Sequence, residues 1–423
     1  MAIAKGNERR RSFGGSSALL RDVSTTAAPR LLVIERGTLD PLMTSRATDR
    51  VFGLDLLRAA AIMMVICAHG FVVLYPHFGD ALGVFGHGGF YGVELFFVLS
   101  GFLIGQILIR QDLALGRAGN ITLFYVRRWF RTLPLFFLFL LINIWIELQF
   151  RGHRVGLTEA LSHGFFLRNL TGFHMSFFAE SWSLAIEEWF YLLFPAALWL
   201  GLKISKRFDG VFLFAAFAFF AFSTIARIFA ASDPAATWSQ DLRMVVIYRF
   251  DALMIGMFAA WLSARFPALW RKYRIPCALA GVALLLAMYA TLWKIENHRL
   301  AFGDDDFFAR TFRFNLVSLG FALLLPWASS WKLVTENFPS TAVRRIALWS
   351  YGMYLVHLPV FQIVTHTVFY GEHLSLSHAL ASFTLQIGGA IALSAFLYRF
   401  FEAPCTRLRE KAAPALAGFF PRG

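Results

Sequence analysis

Long apolar runs recur along the chain from Phe52 to Phe401, separated by short polar, basic or glycine-containing segments. A helix needs about 20 mostly apolar residues to cross the hydrocarbon core of a membrane, and these runs reach that length. The fold class predicted is an all-α integral membrane protein, a polytopic bundle of about ten transmembrane helices. The predicted spans lie near residues 52–74, 88–109, 131–150, 181–202, 210–231, 245–264, 275–293, 312–331, 346–369 and 379–401.

Composition supports this interpretation, because 58% of the residues are hydrophobic, only 16% are charged and the mean hydropathy is +0.59. Such values exclude an ordinary soluble domain. Residues 51–409 are predicted to form one membrane domain. Residues 1–50 are predicted to be a disordered basic cytoplasmic tail, although an Arg-rich, acid-poor segment is also typical of a transit peptide. Residues 410–423 are predicted to be a short cytoplasmic tail, and no appended soluble domain is expected.

The net charge of +14 reports orientation rather than a nucleic-acid partner, because the basic residues concentrate in alternate connections between spans. The positive-inside rule then places both termini in the cytoplasm, with the protein in the inner (plasma) membrane and lipids as its surroundings. Segment 151–180 becomes an outer loop with an interfacial helix. The basic connections contain Arg110, Arg117, Arg127 and Arg128; Lys203, Lys206 and Arg207; Arg265, Arg271, Lys272 and Arg274; Lys332, Arg344 and Arg345; and Arg407, Arg409 and Lys411.

Three cysteines, Cys67, Cys277 and Cys405, lie in or beside separate apolar runs without metal-ligand spacing. They are interpreted as small core residues. Neither a disulfide framework nor a metal site is predicted.

Ionisable residues inside the spans are the first functional candidates, because an unpaired charge in hydrocarbon costs several kcal/mol. In the first span, Arg58 and His69 are about 16 Å apart along a helix and share one stripe. Asp55 lies one turn before Arg58. The alternative is that Arg58 reaches the cytoplasmic interface and His69 only hydrogen-bonds another helix.

The stretch TLFYVRRWFRTLP places Arg127, Arg128 and Arg131 within two turns at the inner mouth of the third span. Three guanidinium groups at such a position suit phosphate binding, since each offers a planar fork of donors. A stop-transfer cluster that obeys the positive-inside rule is the alternative.

Three further polar islands interrupt apolar spans. Glu94 lies beside the small residues Gly92, Ser100 and Gly101, which allow close helix packing, and a buried carboxylate at that position needs a partner. Ser350, Tyr354 and His357 form one polar stripe on the ninth span. Arg249 and Asp251 form another island in the sixth. Each island suits either an interhelical hydrogen bond or a functional role.

The segment SWSLAIEEWFYLLFP carries two adjacent carboxylates, Glu187 and Glu188, in an apolar and aromatic context. Glu187 lies four residues after Ser183 and shares its helix face, whereas Glu188 points about 100° away. Glu187 is therefore the predicted inward carboxylate, acting either in the site or as a tie between helices.

Taken together, these motifs resemble the acyltransferase-3 family of membrane O-acyltransferases, over roughly Phe52 to Arg409. The stretches that carry the resemblance are LRAAAIMMVICAHG, YGVELFFVLSGFLIG, FYVRRWFRTLP, SWSLAIEEWFYLLFP, RFDALMIG, SYGMYLVHLP and YRFFEAP. The family pattern of a basic residue followed after ten residues by histidine falls on Arg58 and His69. The family's arginine motif falls on Arg127, Arg128 and Arg131, and Glu187 occupies the glutamate of the WSL-x-x-E motif.

The resemblance implies transfer of an acyl group, often acetyl, from cytoplasmic acyl-CoA to a hydroxyl of an exported or cell-surface glycan or another acceptor, without a metal. His69 is the predicted base or acyl carrier, with Glu187 and Glu94 as further catalytic candidates. The predicted CoA-binding residues are Arg58, Arg127, Arg128 and Arg131. The predicted substrate-binding residues are Trp182, Ser183, Arg249 and His357.

A proton-coupled transporter or flippase that uses His69, Glu94 and Glu187 as a relay is the alternative function. The arginine cluster at a cytoplasmic mouth favours the enzyme. Inverted repeats, which are typical of transporters, are absent from the sequence pattern. If the enzyme performs a second transfer, a separate partner protein is expected to carry it out.

Overall fold

The computed structural model describes residues 51–79, 85–111, 118–152, 154–296, 299–302, 306–333, 337–368 and 374–408. The predicted tails at residues 1–50 and 410–423 lie outside the described residues. Helices account for most of the described chain. In chain order they are α1 Phe52–Gly70, α2 Tyr75–Phe78, α3 Gly88–Gln111, α4 Ala118–Ile146, α5 Leu157–Gly164, α6 Ser181–Ile204, α7 Phe208–Ala231, α8 Phe250–Arg265, α9 Pro267–Lys272, α10 Arg274–Ala290, α11 Phe307–Arg310, α12 Phe312–Ser330, α13 Phe338–Thr367 and α14 Leu376–Leu397.

Short irregular helical turns extend or connect these elements. The 3₁₀ turns are Phe71–Leu74 and Val246–Tyr248, and the π-helical turns are Glu147–Arg151, Trp238–Arg243 and Tyr398–Glu402. Strands β1 Trp293–Glu296 and β2 Arg299–Phe302 form an antiparallel hairpin in which Trp293 pairs with Phe302. The sequence pattern did not predict this hairpin. Helix α5 lies within segment 151–180, where a helix was predicted.

Eight helical segments among the described residues are long and apolar enough to cross a membrane, which confirms the predicted all-α polytopic fold. They are Phe52–Phe78, Gly88–Arg110, Ile121–Arg151, Ser181–Ile204, Phe208–Ala231, Phe312–Ser330, Phe338–Thr367 and Leu376–Leu408. The remaining two predicted spans correspond to α8 and α10, of 16 and 17 residues. At 1.5 Å per residue these helices are about 25 Å long, shorter than the roughly 30 Å core of a bilayer.

Close contact between α3 and α8 organises the centre of the bundle, and glycine makes it possible. A methyl group added at Gly101 would lie 2.0 Å from the Leu253 carbonyl oxygen, and one at Gly256 would lie 2.2 Å from the Val98 carbonyl oxygen. Small residues let two helix backbones approach in this way inside a membrane protein. The prediction of close packing around Gly101 is confirmed.

Buried charges tie α3, α7, α8 and α12 together in what we call the charge network. Its members are Glu94, Arg227, Arg249, Asp251, Asn315 and Ser318. Arg249 forms an ion pair with Glu94, and Arg227 Nη1 lies 2.8 Å from Asp251 Oδ2. All four charged side chains are fully buried. The two arginines and two carboxylates balance, so the predicted partner of Glu94 is present.

Helix α4 begins earlier than predicted, at Ala118 instead of near residue 131. Apolar residues at helical spacing, including Leu123, Phe124 and Val126, extend the helix through the arginine motif. The predicted start of this span is therefore corrected, and the three arginines lie inside α4 and not at its first residues. Arg127 and Arg131 are exposed, whereas Arg128 turns toward α6.

Candidate active site

Two histidines predicted from different spans meet in the structure. His69 lies in the last turn of α1 and His357 in the middle of α13, and these helices pack against each other. His69 Nδ1 and His357 Nε2 are 3.2 Å apart. His357 is fully buried, whereas His69 is exposed. The pair thus presents one ring for chemistry and holds the other inside the protein.

The hydrogen-bond partners determine where the protons lie. His357 Nδ1 is 2.6 Å from the Tyr354 carbonyl oxygen, and a carbonyl oxygen only accepts, so this nitrogen carries a proton. In neutral His357, Nε2 is then an acceptor, and the proton between the rings belongs to His69 Nδ1. In this tautomer His69 Nε2 carries no proton, and an unprotonated ring nitrogen is what a general base or a nucleophile requires.

Tyr354 connects the histidine pair to α6. Its carbonyl oxygen accepts from His357, while its hydroxyl lies 2.6 Å from the Ser183 hydroxyl. Glu180, Glu187 and Arg243 lie within electrostatic range of the Tyr354 hydroxyl. Of these neighbours, the sequence predicted Ser183 and Glu187 as site residues. It did not predict a role for Glu180 or Arg243.

Arg243 brings a positive charge to the histidine pair. Its guanidinium lies 5.0 Å from the Trp182 ring centroid and 5.4 Å from the Trp238 ring centroid, distances typical of cation–π contacts. One of its Nη atoms donates to the Ser239 hydroxyl at 3.3 Å. Its charge acts on His69. Trp182, predicted to bind substrate, is buried and forms one side of the arginine's aromatic cradle.

A second polar level lies one to two turns along α6. The Ser100 hydroxyl donates to Glu187 at 2.5 Å, which joins α3 to α6. Arg128 donates to the Tyr191 hydroxyl and lies within electrostatic range of Glu187 and Glu188. Thr132 contributes a hydrogen bond to Glu188. Arg128 is therefore held among carboxylates and a tyrosine, apart from the two exposed arginines of its motif.

Glu188 corrects the predicted orientation of the carboxylate pair. It is 8% exposed and more deeply buried than Glu187, so both carboxylates face the interior. The 100° rotation between adjacent residues does not carry Glu188 out of the bundle, because α4 covers that second face of α6 and supplies Arg128 and Thr132.

These two levels form one continuous arrangement that we call the polar column. Its members are Arg243, His69, His357, Tyr354, Ser183, Glu187, Ser100, Tyr191, Arg128 and Glu188. From Ser183 to Tyr191 it follows α6 for about 12 Å. The column joins five of the eleven predicted site residues, namely His69, His357, Ser183, Glu187 and Arg128.

Other predicted site residues lie elsewhere. Arg58 Nη1 is 3.9 Å from Asp55 Oδ1 in the first turns of α1, at the end opposite His69. Glu94 and Arg249 belong to the charge network. Ser350 donates to the Ala347 carbonyl oxygen of its own helix. Within the described residues, no three His, Cys, Asp or Glu side chains are grouped to hold a metal ion.

The sequence profile of the acyltransferase-3 family, described as an acyltransferase domain, matches residues 51–399. The chain belongs to this family. The match covers the polar column and the charge network together, and it confirms the family that the sequence motifs resembled. No solved structure gives a significant match to the chain.

Curated relatives of this family member bear related names. A peptidoglycan O-acetyltransferase of Listeria monocytogenes is 26% identical over 374 residues, which are 83% of this chain and 55% of the relative. A putative peptidoglycan O-acetyltransferase of Bacillus subtilis is 36% identical over 169 residues, 36% of this chain and 24% of the relative. A putative O-acetyltransferase of Staphylococcus aureus is 24% identical over 394 residues, 88% of this chain and 59% of the relative. The chain thus aligns with at most about three-fifths of these relatives.

Proposed function

We propose that the protein is a membrane O-acyltransferase that moves an acyl group, with acetyl as the first candidate, from cytoplasmic acyl-CoA to a hydroxyl of a cell-surface glycan. Membership of the acyltransferase-3 family supports the reaction class. The names of the relatives from Listeria and Bacillus support acetyl as the group and a cell-wall glycan as the acceptor.

The observation that carries the proposal is the contact between His69 and His357, which favours the tautomer with His69 Nε2 unprotonated. An acceptor hydroxyl beside it gives its proton to Nε2, and the hydroxyl oxygen attacks the thioester carbonyl carbon. As the carbon–sulfur bond breaks, the departing thiolate takes that proton from the imidazolium, so the ring ends as it began. The buried His357 keeps the ring of His69 in the reactive tautomer throughout.

Arg243 is placed to assist this step. Attack on the carbonyl creates a negatively charged oxygen, and the Arg243 guanidinium, within electrostatic range of His69, stabilises that charge. The two indole rings hold the guanidinium in place.

Donor binding is assigned to the arginines at the other end of the bundle. Arg127 and Arg131 are exposed on α4 and suit the phosphates of CoA, with Arg58 as a further basic group. Arg128, on the same helix, belongs to the polar column. The positive-inside rule puts these residues on the cytoplasmic side of an inner (plasma) membrane, with both termini in the cytoplasm.

Glu94 and Arg249 receive a structural role in this proposal, although the sequence predicted a catalytic and a substrate-binding residue. They pair with each other and are fully buried, so neither has a face to offer to a substrate. Glu187 remains a site residue, because it lies on the column between Ser183 and Arg128.

Purified protein in vesicles, incubated with acetyl-CoA radiolabelled in the acetyl group and with peptidoglycan glycan strands, tests the function. We expect label to pass to the glycan as a base-labile ester, and His69→Gln to abolish this transfer. The exposed His378→Gln is the matched control and should transfer normally. Proton uptake coupled to solute movement, without ester formation, would contradict the acyltransferase function and support the transporter function.

Sided labelling tests the orientation. A single cysteine in place of Lys206, between α6 and α7, should react only with reagents inside the cell. A single cysteine in place of Asp233, between α7 and α8, should react from outside. The reverse result would move the exposed arginines away from cytoplasmic CoA and overturn the donor assignment.

A further inference from the structure

Glu180 immediately precedes α6, and its carboxyl group is buried at the start of that helix. Its side chain is only 4% exposed, and Oε1 has no hydrogen-bond partner. Leaving a buried polar atom unpaired costs about 1–3 kcal/mol, and a ligand group that bonds Glu180 Oε1 removes that cost.

The surroundings of Glu180 are the acceptor end of the polar column. Its charge acts on the Tyr354 hydroxyl, which bonds the Ser183 hydroxyl one turn into α6. Arg243, from the π-helical turn Trp238–Arg243, and Glu187, from α6 itself, act on the same hydroxyl. Glu180 therefore lies beside the elements that carry the histidine pair.

Burial raises the pKa of Glu180 to about 8, and a contact with its own backbone N–H offsets only part of that effect. The group is therefore mainly a neutral carboxylic acid at neutral pH. A carboxylic acid has one O–H donor and a carbonyl acceptor, whereas a carboxylate only accepts. A sugar hydroxyl also donates once and accepts, so the two groups are complementary.

We propose that Glu180 binds the acceptor, exchanging hydrogen bonds as a carboxylic acid with a hydroxyl group of a neutral polyhydroxyl substrate such as a glycan sugar. This inference rests on the proposed function for its location beside the catalytic histidine. It adds a substrate-binding residue that the sequence motifs do not include, and it predicts that acceptor binding weakens in alkaline solution.

Binding of a tetramer of N-acetylglucosamine to the purified protein, without donor, tests the inference through the fluorescence of Trp182 and Trp238 near the site. Wild type should bind about tenfold more weakly at about pH 9.5 than at about pH 7, since Glu180 loses its proton between them. Glu180→Gln keeps a donor and an acceptor at every pH and should bind equally at both. Glu180→Ala should bind about tenfold more weakly at both.

The matched control is Glu159→Gln. Glu159 accepts a hydrogen bond from Ser176 and lies 3.9 Å from Arg168, outside the polar column, so its variant should follow wild type. Failure of wild type to bind the tetramer, or the same alkaline weakening in Glu180→Gln, would overturn the inference. Binding that follows the expected pattern in a protein that transfers no acetyl group would keep the inference and reject the proposed function.

Discussion

The charge network and the polar column use the same kinds of residue in opposite ways. In the network each arginine faces a carboxylate, the four charges balance and every charged side chain has zero exposure. In the column, His69 is exposed and, in the tautomer that His357 favours, has an unprotonated Nε2. Burial of charge alone therefore does not identify a functional site in this bundle. An exposed reactive side chain distinguishes the column, because His69 is exposed and no charged side chain of the network is.

Breaking the network should have the largest effect of any single substitution. Arg249→Met leaves Glu94 and Asp251 buried without their shared cation, and removing one partner of a buried ion pair costs about 3–5 kcal/mol. We expect little folded protein, measured as the monodisperse fraction in detergent and as the unfolding temperature.

The control is Arg265→Met, whose exposed pair with Asp209 contributes at most about 1 kcal/mol. The double variant Glu94→Gln with Arg249→Met should recover part of the loss, because no unpaired charge remains on that side of the network. Equal losses in the single and double variants would show that packing, and not charge balance, is what the network supplies.

Breaking the column at His69 should leave the fold intact and remove the chemistry. His69→Gln cannot take up a proton, and general-base catalysis contributes about 10²–10⁴-fold to the rate. Acetyl transfer should fall by that factor, while acetyl-CoA binding and the unfolding temperature stay near those of wild type. Near-normal turnover in a folded His69→Gln protein would leave the histidine pair with a structural role only.

Substitutions of Arg128 test whether the polar column takes part in binding acetyl-CoA. Arg128→Ala should weaken acetyl-CoA binding more than tenfold, since a charge-assisted contact is worth about 1.5–3 kcal/mol. Arg128→Lys should recover part of the affinity, because lysine restores the charge without the planar fork. The exposed neighbours Arg127 and Arg131 are the comparison. Loss of affinity in their alanine variants alone would confine donor binding to the surface.

Ser100 should give the smallest effect. Ser100→Ala removes the hydrogen bond to Glu187 and should cost about 0.5–1.5 kcal/mol, seen as a lower rate of transfer with a small change in unfolding temperature. Ser394→Ala is the control, because its hydroxyl bonds only the Ala390 carbonyl oxygen of its own helix. An equal fall in rate in both variants would remove Glu187 from the site.

Periodicity and hydropathy predicted the bundle well, because a lipid-facing helix must be apolar over its full length. The motifs also predicted His69, Ser183 and Glu187, which the structure brings to one column. Helix ends were predicted less well. Apolar residues before the arginines continue α4 to Ala118. The predicted span began later, near residue 131, because three arginines lower the mean hydropathy of the turns that contain them.

The sequence could not predict which side chains meet across the bundle. The contact between His69 and His357 joins residues 288 positions apart, and only the packing of α1 on α13 creates it. Arg243 lies in a turn between spans, where a basic residue is interpreted as a surface charge. One sequence feature indicates Glu180 as a site residue, because it is an acidic residue directly before a helix that begins with SWSL. Glu188 faces the interior because α4 packs on that face of α6, and the spacing of residues in the sequence does not predict where α4 lies.

Tyr354 contributes to the site through both its main chain and its side chain. Its main chain fixes the proton of His357, and its side chain meets Ser183. Mutation changes a side chain and leaves the carbonyl oxygen in place. A substitution at this position can therefore remove the hydroxyl contact with Ser183 and keep the main-chain hydrogen bond that sets the His357 tautomer.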